Sequence, residues 1–160
     1  MMSELALQLA VQNLLARYVE AIDEDRLETW PNFFSDPCSY KVVSVDNHER
    51  RLPIALIHAD SRGMLEDRVA ALRKACVYED QRYRHVLGSS LVKRIDARTV
   101  SAATNFLVVR VLCSGESSLF ASGRYLDRIC YGTDGGEPSF EERLIVLDSR
   151  RIDTLLAIPI

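Results

Sequence analysis

Residues 99–131 read TVSAATNFLVVRVLCSGESSLFASGRYLDRICY, and their pattern decides the fold. The apolar positions recur with period two, broken once at Ser114-Gly115-Glu116, a turn signal between two strands. Phe106, Val108 and Leu112 share one face of the first strand, and Leu107, Val109 and Val111 share the other. A strand apolar on both faces belongs in the middle of a sheet. Helices would cover one side and another subunit the other. The short turn makes Thr99–Cys113 and Leu119–Tyr131 antiparallel neighbours.

The same period extends outward in both directions. Arg84–Ile95 and Ser139–Asp148 read as further strands, joined through Asp96-Ala97-Arg98 and Thr133-Asp134-Gly135-Gly136. Nearer the start of the chain the period becomes helical. Leu7, Val11, Leu14, Leu15, Tyr18, Val19 and Ile22 form one stripe, opposite Gln8, Gln12, Arg17 and Glu20. The cluster Asp23-Glu24-Asp25 ends that helix and is placed to cap a second, short one. There Leu27, Trp30, Phe33 and Phe34 recur at three- and four-residue steps, with Pro31 forcing a break. Cys38–Val45 alternates as a strand. Asp60 or Ser61 caps a third helix with Met64, Leu65, Val69 and Leu72 inward and Arg62, Glu66, Arg73 and Lys74 outward. Helices followed by a long antiparallel meander predict an α+β layer fold in one domain spanning residues 1–160. The expected form is a cone-like, curved antiparallel sheet wrapping the N-terminal helices.

Composition excludes several classes. With 48% hydrophobic and 27% charged residues, the 160-residue chain is not disordered. No apolar stretch approaches the roughly 20 residues a membrane helix needs. The opening MMSELALQLA lacks the basic leader of a signal peptide, so a cytoplasmic protein is expected. The net charge is −3, and the basic excess is confined to residues 60–99, with 9 cations against 6 anions. That is too sparse a footprint for nucleic acid. Cys38, Cys76, Cys113 and Cys130 stand alone, without the paired spacing of a zinc or iron–sulfur site, and read as packed thiols.

The search for chemistry is mostly negative. There is no Gly-rich phosphate loop and no nucleophile elbow, and His48, His58 and His85 are not spaced as metal ligands. On the strand Leu119–Tyr131, Arg124 and Arg128 share a face with Phe120 and Leu126, whereas Asp127 shares the other with Tyr125 and Ile129. Arginines among apolar neighbours on a sheet face are paired structural residues or interface anchors. A cone can also hold a pocket in which Tyr40, Asp36 or His85 serves as general acid or base.

Several segments together carry a family resemblance. They are Trp30-Pro31-Asn32-Phe33-Phe34, Val45-Asp46-Asn47-His48-Glu49, the run Asp60 to Arg73, Arg82-Tyr83-Arg84-His85, Ala121-Ser122-Gly123-Arg124-Tyr125-Leu126-Asp127, Asp148-Ser149, and Thr154 to Pro159. In this order the chain resembles the small, beta subunit of bacterial Rieske-type aromatic-ring-hydroxylating dioxygenases. Among these it is most similar to subunits acting with single-ring aromatic acids such as terephthalate or salicylate. The resemblance implies the nuclear-transport-factor-2 and scytalone-dehydratase fold, and a mainly structural role. It implies a homotrimer supporting large, alpha subunits in an α3β3 hexamer. The large subunit would carry the Rieske [2Fe-2S] cluster and the mononuclear non-haem iron, and would receive electrons from a ferredoxin or reductase. Neither C-x-H nor C-x-x-H occurs in this chain, so no cofactor, metal ligand or catalytic residue is assigned to it.

Arg68, Arg82, Arg84 and His85 fall in the basic middle of the chain and in matching segments, and are the expected contact set for the large subunit. For Arg68 the alternative is a surface pair with Glu66 or Asp67. Two rival functions stay open: a stand-alone cone enzyme of isomerase or dehydratase type, and a module that binds a small molecule. A water-accessible cone lined by an Asp–His or Asp–Tyr pair would favour the enzyme. A cone filled by side chains would favour the scaffold.

Overall fold

The Ser3 hydroxyl accepts a hydrogen bond from the Ala6 amide at 3.2 Å and so starts α1, Glu4–Asp23. This is the first element of the computed structural model, which describes residues 3–75, 80–131, 136–150, 156 and 158–160. The predicted stripe from Leu7 to Ile22 is buried along its length. The acidic cluster does not cap the next element, because Arg26 occupies that position without a side-chain bond. Asp23 is turned elsewhere. Leu27–Phe33 forms a 3-10 helix, whose three-residue period explains the spacing of Leu27, Trp30 and Phe33 and accommodates Pro31.

Phe34 opens β1, Phe34–Ser44, four residues earlier than expected. A one-turn helix α2, Val45–Glu49, and a three-residue strand β2, Ile57–Ala59, follow. Ser61 caps α3, Arg62–Ala75, by accepting from the Met64 amide at 3.3 Å. Leu65, Val69 and Leu72 are buried as predicted. Met64 is not: it lies on the outward arc beside Gly63 and is exposed.

The expected strand Arg84–Ile95 is two strands, β3 at Gln81–Leu87 and β4 at Leu91–Arg94. The interruption has a cause. Gly88 bonds the Asn105 carbonyl, and Ser90 turns inward to share a 2.7 Å bond with the Thr104 hydroxyl. β3 and β4 therefore pair with different halves of the long strand β5, Thr99–Leu112. β6, Ser117–Cys130, and β7, Ser139–Leu147, complete a seven-stranded sheet of order β2-β1-β7-β6-β5-β3, with β4 also on β5. Register shifts at Val108/Val109 and Arg128/Ile129 add curvature. All pairs are antiparallel except one. β1 lies parallel to β7, a pairing that the meander pattern does not signal, because the two strands are far apart in sequence. The Thr133–Gly135 turn, Cys76, Thr154, Leu155 and Ala157 lie outside the described residues.

The core fills the concave side of this sheet. Tyr18, Trp30, Phe34, Tyr40, Phe106, Tyr125 and Phe140 are all buried there against α1, the 3-10 helix and α3. Most of the ring contacts are edge-to-face at 5–6 Å, and Phe106 stacks on Tyr125 at 4.3 Å. Helices on one face and a bare outer sheet face on the other give an open, curved sheet wrapped around the helical layer.

Candidate functional site

Asp127 and Arg143 are cross-strand neighbours on β6 and β7, both on the inward face. The guanidinium donates to both carboxylate oxygens, at 2.9 and 2.8 Å, and neither side chain is exposed. Its central carbon sits 4.0–4.1 Å from the ring centres of Tyr18, Tyr125 and Phe140. Burial pushes the Asp127 carboxyl up, and the adjacent Arg143 pulls it back only in part. Burial is the largest single influence and works against the Arg143 charge, but the Asp127 carboxylate together with the neighbouring tyrosines outweighs it and the arginine pKa is raised. The pair is an ionised strut inside an aromatic cage.

The cone above it is occupied by the chain itself. Ile158 and Ile160 are buried in the same core, and the Tyr18 hydroxyl donates to the Ile160 carbonyl at 2.8 Å. The Tyr40 hydroxyl lies 3.4 Å from that carbonyl. Burial raises the Tyr18 hydroxyl pKa and pushes those of Tyr40 and Tyr125 well above the ordinary tyrosine value. None of the three is poised to exchange a proton near neutrality.

An Asp–His pair exists, but it is sealed. The Asp23 carboxylate, at the end of α1, accepts the His85 amide at 2.9 Å and lies 2.6 Å from the ring Nδ1. Since a carboxylate only accepts, that ring nitrogen carries the proton. The His85 side chain has no exposure and that of Asp23 only 3%. A recess of about 270 Å³ lies beside them, between the end of α1 and the start of β3, lined by Asp23, Tyr83 and Ile158 among others, and His85 is not in its wall. Asp36 is exposed on β1, whereas Tyr40 and His85 are buried with separate partners, so the three do not converge. Among the described residues, no cluster of three or more histidine, cysteine or acidic side chains suits a metal ion.

The expected contact set is likewise divided. Alternation along β3 turns Tyr83 and His85 inward and leaves Arg82 and Arg84 outside. Arg84 reaches Glu24 at 3.6 Å and Asp23 at 3.9 Å. Arg68 pairs with neither Glu66 nor Asp67. Its guanidinium donates to the Leu156 carbonyl at 2.7 Å.

The outer sheet face carries two open grooves of about 500 Å³ each. One is lined by Leu91, Ile95, Ala103, Leu126 and Leu144, the other by Val86, Leu107, Gly123 and Arg124 among others. Leu91 and Leu119 are 72% and 63% exposed there. Arg128 is held by Glu141 at 2.6 Å.

The side chains of the core fill the concave face and leave a recess at its edge, and comparison with known proteins gives the family. Residues 17–154 match the family model for the ring hydroxylating beta subunit. This chain belongs to that family. The beta subunit is 44% identical over 154 residues to the terephthalate 1,2-dioxygenase terminal oxygenase component subunit beta 1 of Comamonas sp, covering 96% of this chain and 97% of the relative. It is 36% identical over 145 residues to the anthranilate 1,2-dioxygenase small subunit of Burkholderia cepacia, covering 90% and 88%. A crystal structure described as the beta subunit of an aromatic-ring-hydroxylating dioxygenase from Novosphingobium aromaticivorans superposes with a TM-score of 0.86 at 38% identity, covering 96% and 97%. The beta subunit thus has the scytalone-dehydratase-like cone expected from its sequence and is a component of a ring-hydroxylating oxygenase.

Proposed function

We propose that this beta subunit is a scaffold. It forms a homotrimer that carries three iron-bearing large subunits in an α3β3 oxygenase acting on single-ring aromatic acids. The observation that carries the reading is the self-filled cone: the charged pair Asp127–Arg143 is fully buried and bonded to itself, and Ile158 and Ile160 are buried in the same core. The substrate class follows from the terephthalate and anthranilate oxygenase relatives. The Rieske cluster and mononuclear iron would reside in the large subunit, which would take electrons from a ferredoxin or reductase.

The outer sheet face, with Val86, Leu91, Leu107 and Leu119 exposed, is the surface that self-association would cover. Arg82 and Arg84 are the members of the basic set placed to meet carboxylates of the large subunit. Arg68 and His85, held inside this chain, act on that contact only by supporting it.

The test is reconstitution. The purified subunit should be colourless and inactive toward aromatic acids with reductant and oxygen. Activity should appear when the large subunit and an electron-transfer chain are added. Arg84→Ala should reduce co-purification with the large subunit and leave the melting temperature of the isolated subunit unchanged. Turnover or a visible iron–sulfur spectrum from this chain alone would overturn the scaffold reading.

A further inference from the structure

The aromatic cage at the centre of the fold holds more hydrogen-bond donors than the chain uses. The Tyr18 hydroxyl donates to the Ile160 carbonyl at 2.8 Å, and the Tyr40 hydroxyl lies 3.4 Å from both the carbonyl and the amide of that residue. Burial raises the Tyr18 pKa, and Arg143 and Trp30 are the neighbours that pull it back, which places both beside that hydroxyl. Asp127 takes the Nε and Nη2 of Arg143. Arg143 Nη1, Trp30 Nε1 and the Tyr125 hydroxyl are buried with no hydrogen-bond partner. A buried donor left unpaired has lost water and gained nothing, so three around one cage call for a cause.

The segment that enters this cage is held differently from the sheet around it. Ile158 and Ile160 are 8% and 0% exposed, yet Leu156 and residues 158–160 belong to no helix or strand. Side chains from other elements grip its backbone: Arg68 donates to the Leu156 carbonyl at 2.7 Å, and Tyr18 and Tyr40 meet Ile160. A segment without ladder bonds opens at a lower free-energy cost than the strands beneath it. It sits as a ligand sits in a pocket, with aliphatic groups against ring edges and one carbonyl oxygen toward the hydroxyls.

We infer that the cage is a binding site for a small aromatic carboxylate, and that residues 158–160 are its resident, competing ligand. The donors set the charge: two tyrosine hydroxyls, an indole N–H and a guanidinium N–H welcome an anionic oxygen and repel an ammonium. The rings set the shape, because Tyr18, Trp30, Tyr40 and Tyr125 pack best against another flat ring. The site acts by binding alone, so it goes beyond the scaffold reading and does not rest on it. While the segment is seated the site is closed, and its apparent affinity falls by the fraction of time that the segment spends lifted.

Benzoate is the probe, and Trp30, the chain's one tryptophan, reports from inside the cage. In the intact chain benzoate should change the Trp30 emission and quicken hydrogen exchange at residues 158–160. A chain ended after residue 157 should bind benzoate at least about tenfold tighter, since the competitor is gone. In that shortened chain Tyr18→Phe should weaken benzoate about tenfold and leave toluene, its neutral counterpart, unaffected. Toluene bound as tightly as benzoate would mean only an apolar hole and overturns the inference. Equal benzoate affinity in the two chains overturns it as well, because the probe then sits elsewhere, and so does Trp30 emission that benzoate leaves unchanged in both. If the shortened chain does not fold, exchange in the intact chain decides. Residues 158–160 exchanging ahead of β5 and β6, and faster with benzoate, support the inference. Exchange only with global unfolding makes the segment part of the core and overturns it.

Discussion

Asp23 and His85 lock the end of α1 to the inner face of β3 through two bonds to one carboxylate, from the His85 amide at 2.9 Å and from its ring at 2.6 Å. In a cone fold this pair would look like catalytic machinery. Its seclusion makes it a fastening between the helical layer and the sheet edge. Asp23→Ala would leave two donors unpaired inside the protein, a loss of about 2–4 kcal/mol. Urea denaturation of the isolated subunit should show that loss, and assembled complexes that still form should keep their turnover rate. A fall in turnover without a fall in stability would return the pair to a chemical role.

The Asp127–Arg143 strut should show a marked asymmetry between single and double substitution. Arg143→Met leaves a buried carboxylate without its partner and should cost about 3–5 kcal/mol. Asp127→Leu combined with Arg143→Met removes both charges and should recover most of that loss. Denaturation midpoints of the parent and the two variants decide it, and a double variant no better than the single would mean that the rings need the guanidinium between them.

Arg73 ties α3 to the turn after α1. It bonds Glu28 at 2.7 and 3.1 Å and takes both carboxylate oxygens of Asp25 at 2.9 Å. The Arg73 hydrogen bond holds the Glu28 carboxyl below its ordinary pKa. A carboxyl depressed in the folded state adds stability above its unfolded value, and the gain is lost as pH falls through the folded value. Both acids are well exposed, so the effect is small, about 1 kcal/mol at neutral pH. Arg73→Ala should therefore lower the melting temperature at pH 7, and the difference should close as the solution is taken below the ordinary glutamate range.

Gly123 lies on β6 opposite Leu147, with the Val146 carbonyl where a side chain would begin. A Cβ there would overlap backbone, which cannot swing aside as a side chain can. Gly123→Ala should break the β6–β7 register locally and cost more than about 2 kcal/mol. Thermal melting read by circular dichroism would register it, and an unchanged melting temperature would show that the two strands separate at little cost.

The outer sheet face should report on self-association. Leu91→Asp with Leu119→Asp places charges on two well-exposed positions that nothing in the isolated chain covers. Light scattering after size exclusion should then find smaller particles, with the melting temperature of the separated chain within about 0.5 kcal/mol equivalent of the parent. Unaltered particle size would move the contact between copies to another surface.

Much of the fold is legible in the chain because it is local. The stripe from Leu7 to Ile22 and the alternation through β5 and β6 are statements about neighbours three, four or two residues apart, and the structure repeats them except at Phe120, where a bulge turns the ring onto Tyr83 and away from the face of Arg124 and Arg128. The break at Gly88–Ser90 was less visible, since an inward serine meeting Thr104 reads as one more alternating position. The parallel pairing of β1 with β7 leaves no local trace at all. At the centre, Asp127 on the apolar face of β6 was half a signal. Arg143 carries no signal of its own, and the hint lies in its surroundings: Phe140, Ile145 and Leu147 mark its strand as inward-facing, and a buried acid implies a buried base one strand away. Asp23 carries the local signal of a cap, and its true partner stands sixty-two positions further along. The basic set is divided for the opposite reason: nearness in sequence hides the alternation that sends Arg84 out and His85 in.

The parallel seam between β1 and β7 also sets a timetable. Tyr40 to Ser44 meet Arg143 to Leu147, roughly a hundred residues later, so the strand made early must wait for one made late. At common synthesis rates of about 5–20 residues per second that wait lasts several seconds on the ribosome. During it β1 has only the three-residue β2 beside it, and its other edge offers open hydrogen-bonding groups to any passing strand. Arrest of synthesis before residue 139 would leave that edge permanently bare. Yield in a heterologous host should accordingly respond to chaperone supply and growth temperature more than to the stability of the finished subunit.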